Sequence, residues 1–297
     1  EVNILGSAAT FVAGVVLALQ VYDRGPILAG NNFFFVDAFS VYLTVLTAFV
    51  SMTTAIFSRR YMRREREHGT IGSRRIRFYH AMYQLFIFAM LLCLLTNNVG
   101  ILWIAMELAT LSTVLLVSLY RTPAAIEAAW KYFILCGVGI ALALFGTVLL
   151  YFAAEKVLGA GGAALHWTNL AQVSDQLEPT ILSLAFVFLM VGYGTKVGLV
   201  PIHNWLPDAH SEGPTPISAV LSGLLLNIAL YALVRCKVLV DGSTGTHHSG
   251  DIMMGFGIIS IIVASFSLLR QKDIKRLFAY SSIAHMGIAP FAFGLGG

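Results

Sequence analysis

"VGYGTKVGLVPIHNWLPDAHSEGPTPISAV" occupies residues 191–220. It sets Lys196 among Gly192, Gly194 and Gly198 at the end of an apolar run, then brings in Pro201, Pro207, Pro214 and Pro216. Pro201 has no N–H to donate, so the carbonyl of Val197, four residues earlier, loses its helical partner. The glycines permit close helix approach or local unwinding. The stretch therefore predicts a helix broken beside a lysine, with Gly194, Gly198 and Pro201 as the breaking residues. Whether that break is an ordinary loop or a functional device depends on the solvent around it. Inside a bilayer a broken helix survives only where protein or a water-filled cavity satisfies the freed backbone groups.

The remainder of the chain identifies the solvent. Of its 297 residues 58% are hydrophobic and 11% charged, against roughly 25% charged in soluble domains. Nine apolar stretches are long enough to cross a bilayer: approximately 4–22, 36–58, 78–96, 98–120, 124–154, 180–206, 215–240, 252–270 and 274–294. The predicted fold class is all-α: a polytopic transmembrane helix bundle with broken helices, forming one transmembrane domain over residues 1–297. The longest non-basic loop, about 155–179, is too short to fold alone. Thr122 before Pro123 and Thr215 before Pro216 read as capped helix starts.

Charge is unevenly placed. "RRYMRREREHGTIGSRRIR", 59–77, holds eight arginines, and "RQKDIKR", 270–276, four more basic residues. With both loops cytoplasmic, Arg121 falls on the same side, and Arg24, Lys156, Arg235 and Lys237 fall outside: thirteen against four. The positive-inside bias and the helix count thus agree and predict a multi-pass protein of the cell inner membrane. A nucleic-acid partner would need a folded soluble domain to present those runs, and none is present. Cys93, Cys136 and Cys236 lie scattered in apolar segments and read as small core residues. The chain begins with Glu1, shows no signal peptide, and is expected to be incomplete at both ends.

An ionisable side chain at a helix centre costs roughly 2.5–3.5 kcal/mol, so each needs a reason. Counted from the helix ends, Glu107 lies roughly 13 Å deep, His285 roughly 15 Å and Asn227 about 16 Å. Three polar groups from three helices thus approach one plane, and Lys196 is the fourth. Each has a plainer reading. Glu107 serves as an interhelical lock, Lys196 snorkels, His285 is a satisfied core histidine, and Asn227 is interhelical glue. Lys131, nearer its helix end, reads equally as a relay member or a snorkelling side chain. Burial and mutual attraction act in opposite senses on the proton affinities of a Glu–Lys pair, so joining or separating the two switches them. A row of such groups at one depth suggests proton passage along the membrane plane as well as across it.

Other motifs fail. "GYGTKVG" lacks the spacing of a phosphate loop and no strand precedes it. His247 and His248 sit in a polar loop without further ligands. No haem-binding, hydrolytic or metal-binding constellation can be assembled, so no cofactor is expected in this chain.

"GTKVGLVPIHNWLPDAHSEGPTPISAVLSGLLLNIALYALVR", "NNVGILWIAMELATL" and "RQKDIKRLFAYSSIAHMGI" resemble the antiporter-like proton-pumping subunits of respiratory complex I, multisubunit sodium/proton antiporters and energy-converting membrane-bound [NiFe] hydrogenases. With "EAAWKYFI" and "ALHWTNL" the chain is most similar to the large membrane subunit of formate-hydrogenlyase-type complexes. The resemblance runs through nearly the whole chain. It implies an inverted-repeat fold larger than this chain, with Glu107 coupled to Lys196 on the broken helix, His285 in the "HMG" motif and Lys131 at a basic position. Ser222 and Asn227 stand where relatives often carry lysine or histidine, which weakens the link from Lys196 to His285.

The resemblance implies an ion-translocating, non-redox subunit of a redox-driven complex, moving protons through a Glu107–Lys196–His285 relay joined by Lys131 and Asn227. Electron transfer would lie in peripheral redox partners carrying iron–sulfur clusters, with NiFe or quinone chemistry, beside other antiporter-like and channel subunits. His203, Asp208, His210 and Glu212 are candidate surface proton collectors at an entrance, or an ordinary turn. The alternatives are a sodium/proton antiporter subunit without redox partners and a non-pumping membrane scaffold.

Overall fold

The computed structural model describes residues 2–245 and 247–296. The elements run α1 (Val2–Arg24), a hairpin of β1 (Ile27–Ala29) and β2 (Phe34–Val36), α2 (Ala38–Glu67), α3 (Ser73–Leu95), α4 (Val99–Val117), α5 (Pro123–Leu158), α6 (Trp167–Gln172), α7 (Pro179–Val197), α8 (Trp205–Glu212), α9 (Thr215–Val220), α10 (Leu226–Thr244), α11 (His248–Leu268) and α12 (Ile274–Leu295). Among the described residues nine helical segments are long and apolar enough to cross a membrane. They coincide with the nine apolar stretches, with one change. The stretch read as 180–206 is helical only to Val197, because the break falls inside it.

The polar connections hold more structure than their composition suggests. The antiparallel β1–β2 hairpin pairs Ile27 with Val36 and Ala29 with Phe34. Asp37 then caps α2 through a capping box with Ser40. Thr122 caps α5 by accepting from the Ala125 N–H at 3.1 Å. At the other expected start, Pro214 holds the cap position and Thr215 is already helical, a one-residue offset in a frayed first turn. The loop near 155–179 folds into α6 flanked by short 3₁₀ turns.

α9 and α10 are joined by a π-helical segment over 221–225. The Asn227 amide donates to the Gly223 carbonyl at 2.8 Å, so the asparagine occupies a backbone acceptor that the wider turn presents. α5 and α7 lie backbone against backbone: a Cβ on Gly192 would come within 2.6 Å of the Gly139 carbonyl and the Ala143 nitrogen. Such close contact between small residues is how helices pack where lipid supplies no hydrophobic drive. One continuous apolar core joins α2 to α5, α7 and α10, and the site described next lies within it.

Candidate functional site

α7 stops at Val197 because Gly198 adopts the left-handed conformation, φ +79. Its N–H and that of Leu199 turn back to the carbonyls of Thr195 and Gly194, at 3.2 and 3.0 Å, the closure expected of a glycine C-cap. The Val200–Pro201 peptide is cis, and the Val200 N–H donates to the Ser260 hydroxyl of α11 at 2.9 Å. Gly198 and Pro201 thus form the break. Gly194 supplies an acceptor and has ordinary space around its Cα.

Lys196 therefore sits in the last turn of α7 and is completely buried. Its Nζ donates to the Thr110 hydroxyl, which in turn donates to the Met106 carbonyl at 3.0 Å. Glu107 Oε2 stands 3.9 Å from Nζ, and that inner oxygen is buried without a hydrogen-bond partner. The Glu107 side chain as a whole is 23% exposed. The Tyr132 ring lies 5.9 Å from the ammonium. Its hydroxyl pairs with that of Thr113 at 2.7 Å, and it stacks on Trp205 at 4.5 Å. The Trp205 indole N–H donates to the Thr195 carbonyl at 2.8 Å, so the second half of the break is fastened to the first. The lysine is held at the carbonyl end of a helix, where a cation is favoured, and its partner carboxylate is within Coulombic reach but outside hydrogen-bond distance.

Thr110, Tyr132 and Trp205 were not singled out from sequence. Thr110 could have been, because a residue three beyond Glu107 shares its helix face. Tyr132 follows Lys131, and the two point in different directions. Lys131 is 48% exposed, pairing with Glu127 at 2.8 Å and Asp208 at 3.1 Å. It snorkels, and through Asp208 it joins a charged cluster. Arg276 completes the cluster at 2.9 Å from Asp208.

Two expectations need correction. His285 was read as buried at mid-depth, yet it is exposed along α12, with Nδ1 2.7 Å from the Ser281 carbonyl. Rise per residue bears on a residue's height along a helix and not on its direction about the axis. His210 was read as a surface collector, yet it is 3% exposed, and its Nε2 has no hydrogen-bond partner. Burial, reinforced by the neighbouring Lys275 ammonium, pushes the His210 pKa down to about 4. His203 and Glu212 are partly buried.

His210 lines a cavity of about 400 Å³ with Ser218, Ser222, Lys275, Ser281 and Ser282. Lys275 closes one side by donating to the Ser211 and Gly213 carbonyls, at 3.2 and 2.9 Å. The Ser222 and Ser282 hydroxyls meet at 2.7 Å between the π segment and α12. This hydroxyl-lined space adjoins the turn that carries His285, so the polar groups form two sets. Glu107, Thr110, Lys196 and Tyr132 make the inner one; His210, Ser222, Ser282 and Lys275 make the outer.

A family described as "NADH:quinone oxidoreductase/Mrp antiporter, TM" matches residues 96–297, which contain both sets. The chain is 50% identical over 295 residues to the hydrogenase-4 component F homolog of Methylacidiphilum infernorum, covering 99% of itself and 61% of that protein. It is 30% identical to NADH-quinone oxidoreductase subunit N of Ruthia magnifica, covering 96% of itself and 57% of the relative. Among solved structures it superposes on a chain of the archaeal membrane-bound sulfane sulfur reductase with a TM-score of 0.87 at 25% identity, covering 98% of itself and 58% of that chain. A chain of respiratory complex I from Thermus thermophilus gives 0.74 at 27%, covering 98% and 57%. The chain thus spans about three-fifths of each of these relatives.

Proposed function

The chain belongs to the NADH:quinone oxidoreductase/Mrp antiporter transmembrane family, and from that premise we propose that it is an ion-translocating, proton-moving subunit of a redox-driven complex of the hydrogenase type. The observation that carries this reading is the buried Lys196 ammonium at a helix break, 3.9 Å from a carboxylate oxygen that has no hydrogen bond of its own. An intramembrane charge pair is costly unless it works, and broken helices beside ionisable groups form midplane ion sites in transporters. Movement of Glu107 toward or away from Nζ alters the lysine's hold on its proton. Its partly exposed side chain is where a neighbouring subunit can act on it.

In this reading the arginine-rich loops face the cytoplasm of an inner-membrane protein. Protons enter past the Asp208–Lys131–Arg276 cluster and the His210 cavity. Electron transfer takes place in peripheral partners with iron–sulfur clusters and NiFe or quinone chemistry, beside further antiporter-like subunits. Similarity to a hydrogenase-4 component homolog supports the redox partnership. The exposed His285 and the engaged Asn227 favour a route through the outer set at its Ser222–Ser282 contact, rather than through Asn227.

The test is the full complex in liposomes, with redox-driven acidification measured for wild type, Lys196→Ala and Glu107→Ala. Loss of pumping in both, with electron transfer slowed or uncoupled, is expected. Normal pumping in both variants would leave the chain as a scaffold. Acidification that needs sodium, in a preparation without iron–sulfur proteins, would favour the sodium/proton antiporter.

A further inference from the structure

At the arginine-bearing end of the bundle, α1 and α2 part around a cleft of about 280 Å³ lined by Ile4, Ile56, Arg59, Arg60 and Arg63. We propose that this cleft binds the phosphate headgroup of an anionic phospholipid, with its acyl chains lying on the outward faces of α1 and α2.

Three observations support this assignment. The first is height. From Ala38 to Arg59, at about 1.5 Å per residue, α2 rises roughly 31 Å, which matches a hydrocarbon core of ~30 Å. The guanidinium groups therefore emerge at headgroup level, with Ile56 one turn below them in the acyl region.

The second is charge. Arg59 and Arg63 are four residues apart, as are Arg60 and Arg64, and like charges at that spacing repel. Arg60 and Arg63 are exposed and form no ion pair among the described residues. Arg59 already has a partner, so Arg60 and Arg63, three residues apart and hence neighbours on the helix surface, are the two that matter. A bridging anion removes the repulsion between neighbouring guanidinium groups, and their planar forks suit phosphate oxygens. A positive-inside bias alone would be met by arginines spread along the loop. It does not require them to share a cleft with two isoleucines.

The third is the apolar surface below. Leu5, Val12, Val16 and Leu19 of α1, with Phe49 and Ile56 of α2, are exposed. They continue the cleft down through the hydrocarbon region, offering acyl chains a contact surface directly beneath the headgroup. Basic pockets between transmembrane helices are recognised lipid sites for these reasons.

The experiment uses the full-length protein in its complex, delipidated and titrated with phosphatidylglycerol or phosphatidylcholine, with bound lipid counted by native mass spectrometry. Wild type is expected to retain phosphatidylglycerol in preference. Arg60→Gln/Arg63→Gln is expected to lose that preference by on the order of 25-fold, about fivefold per arginine, while Arg60→Lys/Arg63→Lys keeps most of it. Inorganic phosphate at millimolar concentration should fail to displace the lipid; full displacement would make this a free-phosphate site and overturn the lipid assignment. An unchanged lipid preference in the glutamine variant would overturn it equally. A photoreactive phosphatidylglycerol on wild-type protein gives an independent measurement if the glutamine variant does not assemble. Labelling of residues 56–66 or of α1 supports the site, and labelling confined to helices other than α1 and α2 refutes it.

Discussion

Lys196 and Glu107 are held at a separation where small movements have large effects. At an effective dielectric of about 20, two unit charges 4 Å apart attract by roughly 4 kcal/mol, and doubling the separation halves that. Thr110 keeps the ammonium from closing the gap, because its hydroxyl accepts a hydrogen bond from Nζ and donates its own to the Met106 carbonyl. Thr110→Val should therefore leave a buried ammonium short of an acceptor, at a cost of about 1–3 kcal/mol. The expected outcome is a several-fold fall in redox-driven acidification and a lower melting temperature, with Thr110→Ser restoring both. Unchanged pumping in Thr110→Val would remove the threonine from the site. His210 allows a test by pH. Its folded pKa of about 4 lies below the ~6.5 of an unfolded histidine, so between those values the unfolded chain binds more protons and stability rises with pH. The full difference, about 3 kcal/mol by the same conversion, is present above pH ~6.5 and lost as pH falls toward 4. Thermal unfolding of wild type from pH 7 to 4 should show that loss, and His210→Gln should flatten it. Equal slopes for both proteins would mean that His210 is not buried in this way.

The break between α7 and α8 is the element on which the site depends, and Gly198 is its weakest point for substitution. A Cβ there would be 2.5 Å from Leu206 Cδ1, and φ is +79. Leu206 is fully buried and has little room to yield. Gly198→Ala combines a steric conflict with a left-handed penalty of about 1–2 kcal/mol. The double variant Gly198→Ala/Leu206→Ala should relieve the clash and keep the backbone strain, giving a favourable coupling energy in a double-mutant cycle. Strict additivity of the two melting-temperature losses would contradict the contact. This break was legible in the sequence because glycine and proline act on the backbone directly, whatever surrounds them. The order of apolar helices was legible too, since length and composition determine it. Direction about the helix axis was not. In α5 nearly every position is apolar, so hydropathy marks no inner face for Lys131. In α12 the polar Ser281 and Ser282, within about one turn of His285, do not tell an inward side from an outward one, so the direction of His285 about the axis could not be read either. The π segment was hidden for a related reason: "LSGLLLN" carries no local signal that five residues will make a wider turn, and only the Asn227–Gly223 bond shows what the asparagine does there.

At the scale of the whole bundle, ion pairs fasten both ends and leave the middle to the buried pair. At one end Asp208 gathers Lys131 of α5 and Arg276 of α12 onto α8. These groups are partly exposed, and their contribution is alignment more than stability. At the other end Arg235 of α10 is buried against Asp37 at 2.7 Å, with its guanidinium 4.4 Å from the Trp167 ring centroid and 4.9 Å from that of Tyr231. One side chain thus joins α10, α6 and the capped start of α2, a role invisible when Arg235 is read only as an outside basic residue near a helix end. Asp37 also caps α2, so Asp37→Asn strands the buried Arg235 guanidinium and weakens the cap, while Arg235→Met leaves the half-buried Asp37 carboxylate unpaired. Breaking such a pair from one side costs about 3–5 kcal/mol, whereas replacing both partners together often costs little. Asp37→Asn and Arg235→Met should each lower the melting temperature of the purified complex, Arg235→Met further because the stacking on Trp167 is also lost. The double variant should be far less unstable than the sum. The inner pair is remote in sequence from this clasp, so the surviving double variant should still pump, at a rate limited by the fraction folded. If the double variant folds but does not pump, the outer clasp transmits to Lys196, and the two ends of the bundle are coupled through it.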